Sequence, residues 1–120
     1  MSKKGFRELL VWQKGKSLAV AIYRLTKGPS LNRDFSLCDQ MRRAGVSICS
    51  NIAEGDERDT DKEAVRFFYI AKGSLAELSS QLEIAFEIGY ITEEEHKDLQ
   101  SSCSEIAKML NGLIKARSKA

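Results

Sequence analysis

The chain predicts an all-α protein, an antiparallel up-down-up-down four-helix bundle, and three observations carry that prediction. Apolar residues recur at alternating spacings of three and four through four separate segments. Helix punctuation divides those segments, and a single proline in 120 residues argues against strand-and-turn architecture. The connectors are short, which makes sequential helices antiparallel neighbours.

The first helix is expected from about Phe6 to Lys27, where Gly28-Pro29 supplies a glycine past the end and a proline that cannot continue. Val11, Gly15, Leu18, Ile22 and Leu25 form its stripe. Beyond a connector at 30–34, Ser36 with Asp39 three residues later resembles a capping box for the second helix. That helix carries Leu37, Met41, Ala44 and Ile48 inward and ends near Glu54-Gly55. Thr60-Asp61-Lys62-Glu63 is a capping box opening the longest helix. Ala64, Phe68, Ala71, Leu75, Leu78, Leu82, Ala85 and Gly89 keep the alternation along it without a miss. About 29 residues at 1.5 Å each make it roughly 43 Å long, and Gly89 closes it. Thr92 with Glu95 caps the fourth helix, whose stripe is Leu99, Cys103, Ile106, Leu110 and Leu113. Gly45 and Gly73 read as small residues that admit a close helix approach, and Ser50-Asn51 as side chains shaping the turn before Gly55.

Length fits one domain, 1–120, with flexible ends expected at 1–5 and 116–120. Hydrophobic content of 42% and charged content of 30% are a soluble globular balance. No apolar run approaches the roughly 18–20 residues that span a bilayer, so no membrane partner is expected. The first residues lack a signal peptide's apolar stretch, which makes a cytoplasmic location the expectation. Cys38, Cys49 and Cys103 are odd in number, lack C-x-x-C spacing and read as reduced packing residues.

Charge is segregated although the net is only +2. Residues 1–53 hold ten Lys/Arg against three Asp/Glu, residues 54–105 five against fourteen, and residues 106–120 four against none. Blocks of opposite sign suit head-to-tail subunit contacts or a basic surface for an anionic partner. Lys3, Lys4, Arg7, Lys14 and Lys16 crowd the start, and Arg24, Lys27, Arg42 and Arg43 follow. From these, Lys14, Lys16, Arg24, Arg42 and Arg43 form the candidate nucleic-acid surface, whose affinity for RNA or DNA would be salt-dependent and indifferent to sequence. A solvated basic face is the plainer alternative. Trp12 and Tyr23 are interleaved with the cations, with Trp12 expected to pack. No recognition helix, RNP motif or zinc pattern is present.

The third helix has a second stripe, Phe67, Ile70, Ser74, Glu77, Gln81, Ile84 and Ile88. It reads as either a widened core or a subunit interface, and the interface is preferred, with Ser74, Glu77 and Gln81 as specifying polar contacts. A buried Glu77 would need a cation, for which Arg42 or Arg43 is the natural candidate.

Tests for chemistry come out against an enzyme. Glu93-x-x-His96 has the spacing of a di-iron helix, but that site needs a second copy and two more glutamates, and the chain has one histidine. Lys72-Gly73-Ser74 lacks the upstream glycine of a phosphate-binding loop and sits mid-helix. No catalytic residue, metal or cofactor is expected.

Two stretches also carry a resemblance: Asp39-Gln-Met-Arg-Arg-Ala-Gly-Val-Ser-Ile-Cys-Ser-Asn-Ile-Ala-Glu-Gly55, and Phe68-Tyr-Ile-Ala-Lys-Gly-Ser-Leu-Ala-Glu-Leu78 continuing to Ile91. With them the chain resembles, from about Phe6 to Ile114, the four-helix-bundle proteins encoded in intervening sequences of bacterial 23S ribosomal RNA genes. It is also similar to the accessory variability determinant of diversity-generating retroelements. The resemblance implies a barrel-shaped homopentamer, so the chain's first partner would be itself. It further implies nucleic-acid binding. The retroelement relatives look strongly basic, whereas this chain is mildly so, with acidic stretches at 54–63 and 93–98. A protein-interaction scaffold without nucleic-acid binding is the alternative function.

Overall fold

A computed structural model describes residues 5–119. Among them four α-helices and two single 3-10 turns account for the regular structure, and no strand occurs. A 3-10 turn at Phe6–Glu8 leads into α1, Leu10–Leu25, and a second at Leu31–Arg33 leads into α2, Phe35–Asp56. The two longest helices follow as α3, Asp61–Ile88, and α4, Glu93–Arg117. The molecule is a rod of 47 × 20 × 18 Å, its length close to that of α3.

The alternating stripes meet along the axis. Ile22, Met41, Ile48, Phe68, Leu78, Leu82, Ile106 and Leu110 are sealed from solvent. Each such side chain contributes about 1.5–3 kcal/mol relative to exposure. Helices α1 and α2 pass close to one another at Gly45, where an added Cβ would make ordinary contact, 3.5 Å from the Ala19 Cα. The tighter position is Gly15 on α1, where an added Cβ would lie 3.3 Å from the Cys49 Cβ. Gly73 has no such role: it is exposed with nothing near its missing Cβ, contrary to the close approach expected there.

The helix ends differ from the sequence reading in three places. The first helix begins late, at Leu10, because Leu9 is extended and the preceding turn folds Phe6 edge-on to Trp12 at 5.0 Å. The cap of α2 is Asp34 rather than Ser36: its Oδ1 accepts from the Leu37 amide at 3.1 Å. Its Oδ2 accepts from the Tyr90 hydroxyl at 3.1 Å, a contact from the α3–α4 turn that local sequence cannot reveal. Finally, Ala116 and Arg117 are helical where a flexible end was expected, while residues 1–4 and 120 lie outside the described residues. The other signals hold, except that the box expected at Thr60 is only half made, with no bond from the Glu63 side chain back to the Thr60 amide among the described residues. Thr60 caps α3, Thr92 and Glu95 form a reciprocal capping box on α4, and Gly89 takes the left-handed conformation (φ 94°) that ends α3.

Arg117 anchors the far end of the bundle. Its guanidinium lies 3.2 Å from Asp56 at the end of α2 and 3.3 Å from Asp61 at the start of α3. It also stands over the Phe68 ring at 5.7 Å. Asp56 is fully buried, so its carboxylate needs that cation: breaking such a pair is far costlier than the pair is worth against an apolar substitute. Beside it, Gly55 leaves room for Phe68, whose Cε1 would lie 2.6 Å from an added Cβ.

Candidate nucleic-acid interface

Cations on α1 and α2 do not form one patch; the fold sorts them by the neighbours it gives each. Lys14 turns toward α4, where Nζ lies 3.3 Å from Glu105. Arg43 turns the other way, lining the α2–α3 cleft and reaching Asp39 at 2.9 Å. Lys16 sits over the Trp12 ring at 5.3 Å. Arg24 is exposed. Arg42 is held in place: its Nε donates to the Thr26 hydroxyl at 2.8 Å and its guanidinium lies 4.9 Å from the centre of the Tyr23 ring. Thr26 in turn is fixed by donating to the Ile22 carbonyl at 2.9 Å, or to that of Tyr23 at 3.0 Å. Lys3 and Lys4 lie outside the described residues.

The productive cluster is therefore the α1–α2 corner. Thr26, Lys27, Asn32, Phe35, Asp39 and Arg42 line an open cleft of about 500 Å³ there, floored by Cys38. Burial pushes the Cys38 thiol up against the opposing pull of the Arg42 cation, so it stays protonated and donates to the Leu31 carbonyl at 3.1 Å. Among the described residues no carboxylate pairs with Arg24, Lys27, Arg33 or Arg42. Asp39 is engaged by Arg43, and Asp34 by its cap and Tyr90. Residues 23–43 hold five Lys/Arg against two Asp, so the corner carries uncompensated positive charge beside two exposed rings, Tyr23 and Phe35. Of the five expected binding residues the cleft takes in Arg42; Arg24 is exposed near the end of α1 and is not part of its lining. Sequence reasoning counted Lys27 among the cations without carrying it into the candidate surface, and passed over Phe35 because it follows a connector read only as punctuation.

The second stripe of α3 is divided by the fold. Ser74 is buried against α2, its hydroxyl 2.8 Å from that of Ser47. Gln81 is also buried, and its Oε1 has no hydrogen-bond partner among the described residues. Glu77 is exposed at the mouth of the same cleft as Arg43. It thus needs no buried cation, and Arg42 is engaged elsewhere. Phe67 is half-buried under Arg58 at 4.6 Å, whereas Ile70, Ile84 and Ile88 stand 43%, 47% and 55% exposed.

His96 accounts for itself without a metal: Nε2 lies 3.2 Å from Glu83 and the ring stacks on Phe86 at 4.5 Å. Among the described residues no three His, Cys, Asp or Glu side chains gather as a metal site. No helix among them is long and apolar enough to cross a membrane.

Comparison with known proteins adds the following. The family model of the 23S rRNA-intervening sequence proteins matches residues 7–112. A crystal structure of a protein of unknown function from the S23 ribosomal protein family of Bacteroides thetaiotaomicron VPI-5482 superposes with a TM-score of 0.83 at 29% identity. The match covers 88% of this chain and 99% of that one. No curated protein matches.

Proposed function

This chain belongs to the 23S rRNA-intervening sequence protein family, and from that premise we propose that it is a non-enzymatic, self-assembling protein that binds RNA. One observation carries the reading: Lys27 and Arg42 line one cleft with the exposed Phe35 ring, and among the described residues neither they nor the exposed Arg24 and Arg33 pair with a carboxylate. Charge that folding does not use is available to phosphate, whose condensed counterions are released on binding. The helices run up-down-up-down in this reading, supported by Arg117 of α4 meeting the α2–α3 turn and Tyr90 of the α3–α4 turn meeting the start of α2.

Self-assembly has its own support. Ile70 at one end and Ile84 with Ile88 at the other are exposed on α3, flanking the polar cleft that holds Arg43, Glu77 and Gln81. Exposed apolar side chains around a polar centre suit a contact surface between copies. Five copies in a ring is the assembly the resemblance implies, and a ring repeats a modest basic corner so that weak contacts add through avidity. A cytoplasmic location, where RNA is at hand, completes the reading.

The test is light-scattering mass of the purified protein with and without structured RNA, at low and at high salt. A multimer whose mass rises with RNA only at low salt is the expected result. Charge reversal at Arg24, Lys27 and Arg42 should abolish the rise, while reversal at Lys14 leaves most of it. Ile70→Asp with Ile84→Asp should give a folded monomer. A multimer indifferent to RNA at any salt would sink the RNA reading and favour a scaffold for other proteins.

A further inference from the structure

We propose that Phe35 is a stacking platform for an unpaired base, which makes the preferred ligand of the α1–α2 corner single-stranded RNA rather than duplex. The inference rests on the RNA-binding reading above and narrows it.

Phe35 is 81% exposed at the first position of α2, more than any other large apolar side chain described. Folding gains almost nothing from a ring left in water, so packing does not explain it. The backbone beneath it is fixed nonetheless. Asp34, the residue before it, spends one carboxylate oxygen on the Leu37 amide and the other on the Tyr90 hydroxyl. The ring is thus presented from a rigid base, and ordering it on binding costs little conformational entropy.

Its surroundings specify the partner. Phe35 shares its cleft with Lys27, Arg42 and Asn32. Arg42 is oriented through Nε by Thr26, which leaves its terminal nitrogens without a protein partner among the described residues. The Asn32 side-chain amide likewise makes no hydrogen bond within the described chain and offers both a donor and an acceptor. A flat apolar face, two cations and a free amide match base, phosphate and base edge in turn. In an A-form duplex the bases are stacked inward and their faces are closed to a side chain, whereas loops, bulges and ends expose them. An apolar patch on another protein would satisfy the ring but leave Lys27 and Arg42 facing no anion.

The experiment is fluorescence anisotropy with two labelled probes, an oligouridine of about 12 nucleotides, within the usual site sizes of single-strand binders, and a blunt RNA duplex of equal charge. The wild type should prefer the oligouridine. Phe35→Ala and Phe35→Leu should each weaken that probe roughly tenfold, in line with the loss of one aromatic–base stack, with the duplex unaffected. Phe35→Trp should keep the affinity, and light scattering should show one mass for all four proteins. Equal binding of both probes with an indifferent Phe35→Leu would overturn the platform while leaving RNA binding intact. A Phe35→Ala protein of altered mass would overturn it in favour of a contact between copies. No binding of either probe at low salt would bring down the broader reading, and the platform with it.

Discussion

Two arginines stand over aromatic rings near opposite ends of α2, and the fold uses them in opposite ways. Arg117 lies over Phe68, which is fully buried, and its nitrogens meet Asp56 and Asp61. Arg42 lies over Tyr23, which is 42% exposed, and meets only a hydroxyl. The first arrangement neutralises a buried carboxylate and joins three helices. The second leaves a whole positive charge at the surface. Residue type and ring distance do not separate the two; the burial of the ring and the presence of a carboxylate do.

Predictions follow from sharpening that contrast, from the largest effect down. Arg117→Ala withdraws the guanidinium from the buried Asp56 carboxylate and should cost about 3 kcal/mol or more in urea unfolding. A loss below about 1 kcal/mol would mean that water reaches the site as readily as it reaches Arg42. Gly55→Ala presses a methyl into the Phe68 ring and against the Ala64 carbonyl, 3.0 Å away. Overpacking of this kind should cost about 2 kcal/mol and shift the midpoint of the same denaturation. At the other end Arg42→Ala should lower stability by no more than about 1 kcal/mol, the scale of an exposed cation–π contact and one hydrogen bond. Its effect should appear instead as a shallower salt dependence of RNA affinity.

A fourth prediction uses pH. The Tyr90 hydroxyl donates to Asp34, and that bond, helped by desolvation, holds its pKa above the ordinary 10.0. The folded chain therefore keeps this proton when the unfolded chain has lost it. The contribution is full below about pH 10 and is lost as pH rises through the raised value. Tyr90→Phe should flatten the alkaline limb of a stability–pH curve, and an unchanged limb would show that the hydroxyl is not bonded in solution. The smallest effect concerns Cys103, whose thiol burial pushes up to about 11. At pH 8 it should resist iodoacetamide until the chain unfolds, while half-buried Cys49 reacts earlier. Equal rates would place α4 among the loosely held elements.

The fold was legible where one local signal sufficed. Seven of the eight stripe positions on α3, from Ala64 to Ala85, are buried, and the eighth, Gly89, is the left-handed cap. Periodicity reports burial directly, because one face of a regular helix must meet the core. It does not report which neighbour flanks that face. Ser74 and Gln81 were thus assigned to an interface, although Ser47 of α2 takes Ser74 inward. The same limit governed the charges: counting cations on α1 cannot foresee that Glu105, ninety-one positions away, pairs with Lys14. The cap at Asp34 is a local bond to the Leu37 amide and lay within reach of the sequence; its second partner, Tyr90, did not. The candidate site was partly legible, since Arg42 was named and Lys27 counted among the cations, while Phe35, beside a connector, was passed over.

The Arg117 anchor also bears on the order in which the molecule can be completed. Arg117 belongs to the last turn of α4, sixty-one positions beyond Asp56. While a ribosome is still making α4, the first three helices can collapse, but the tie from Arg117 to Asp56 and Asp61 is still missing. That end of the bundle gains it only when the final helical turn emerges. A chain that stalls within α4 should therefore be cut faster at the α2–α3 turn than the finished chain.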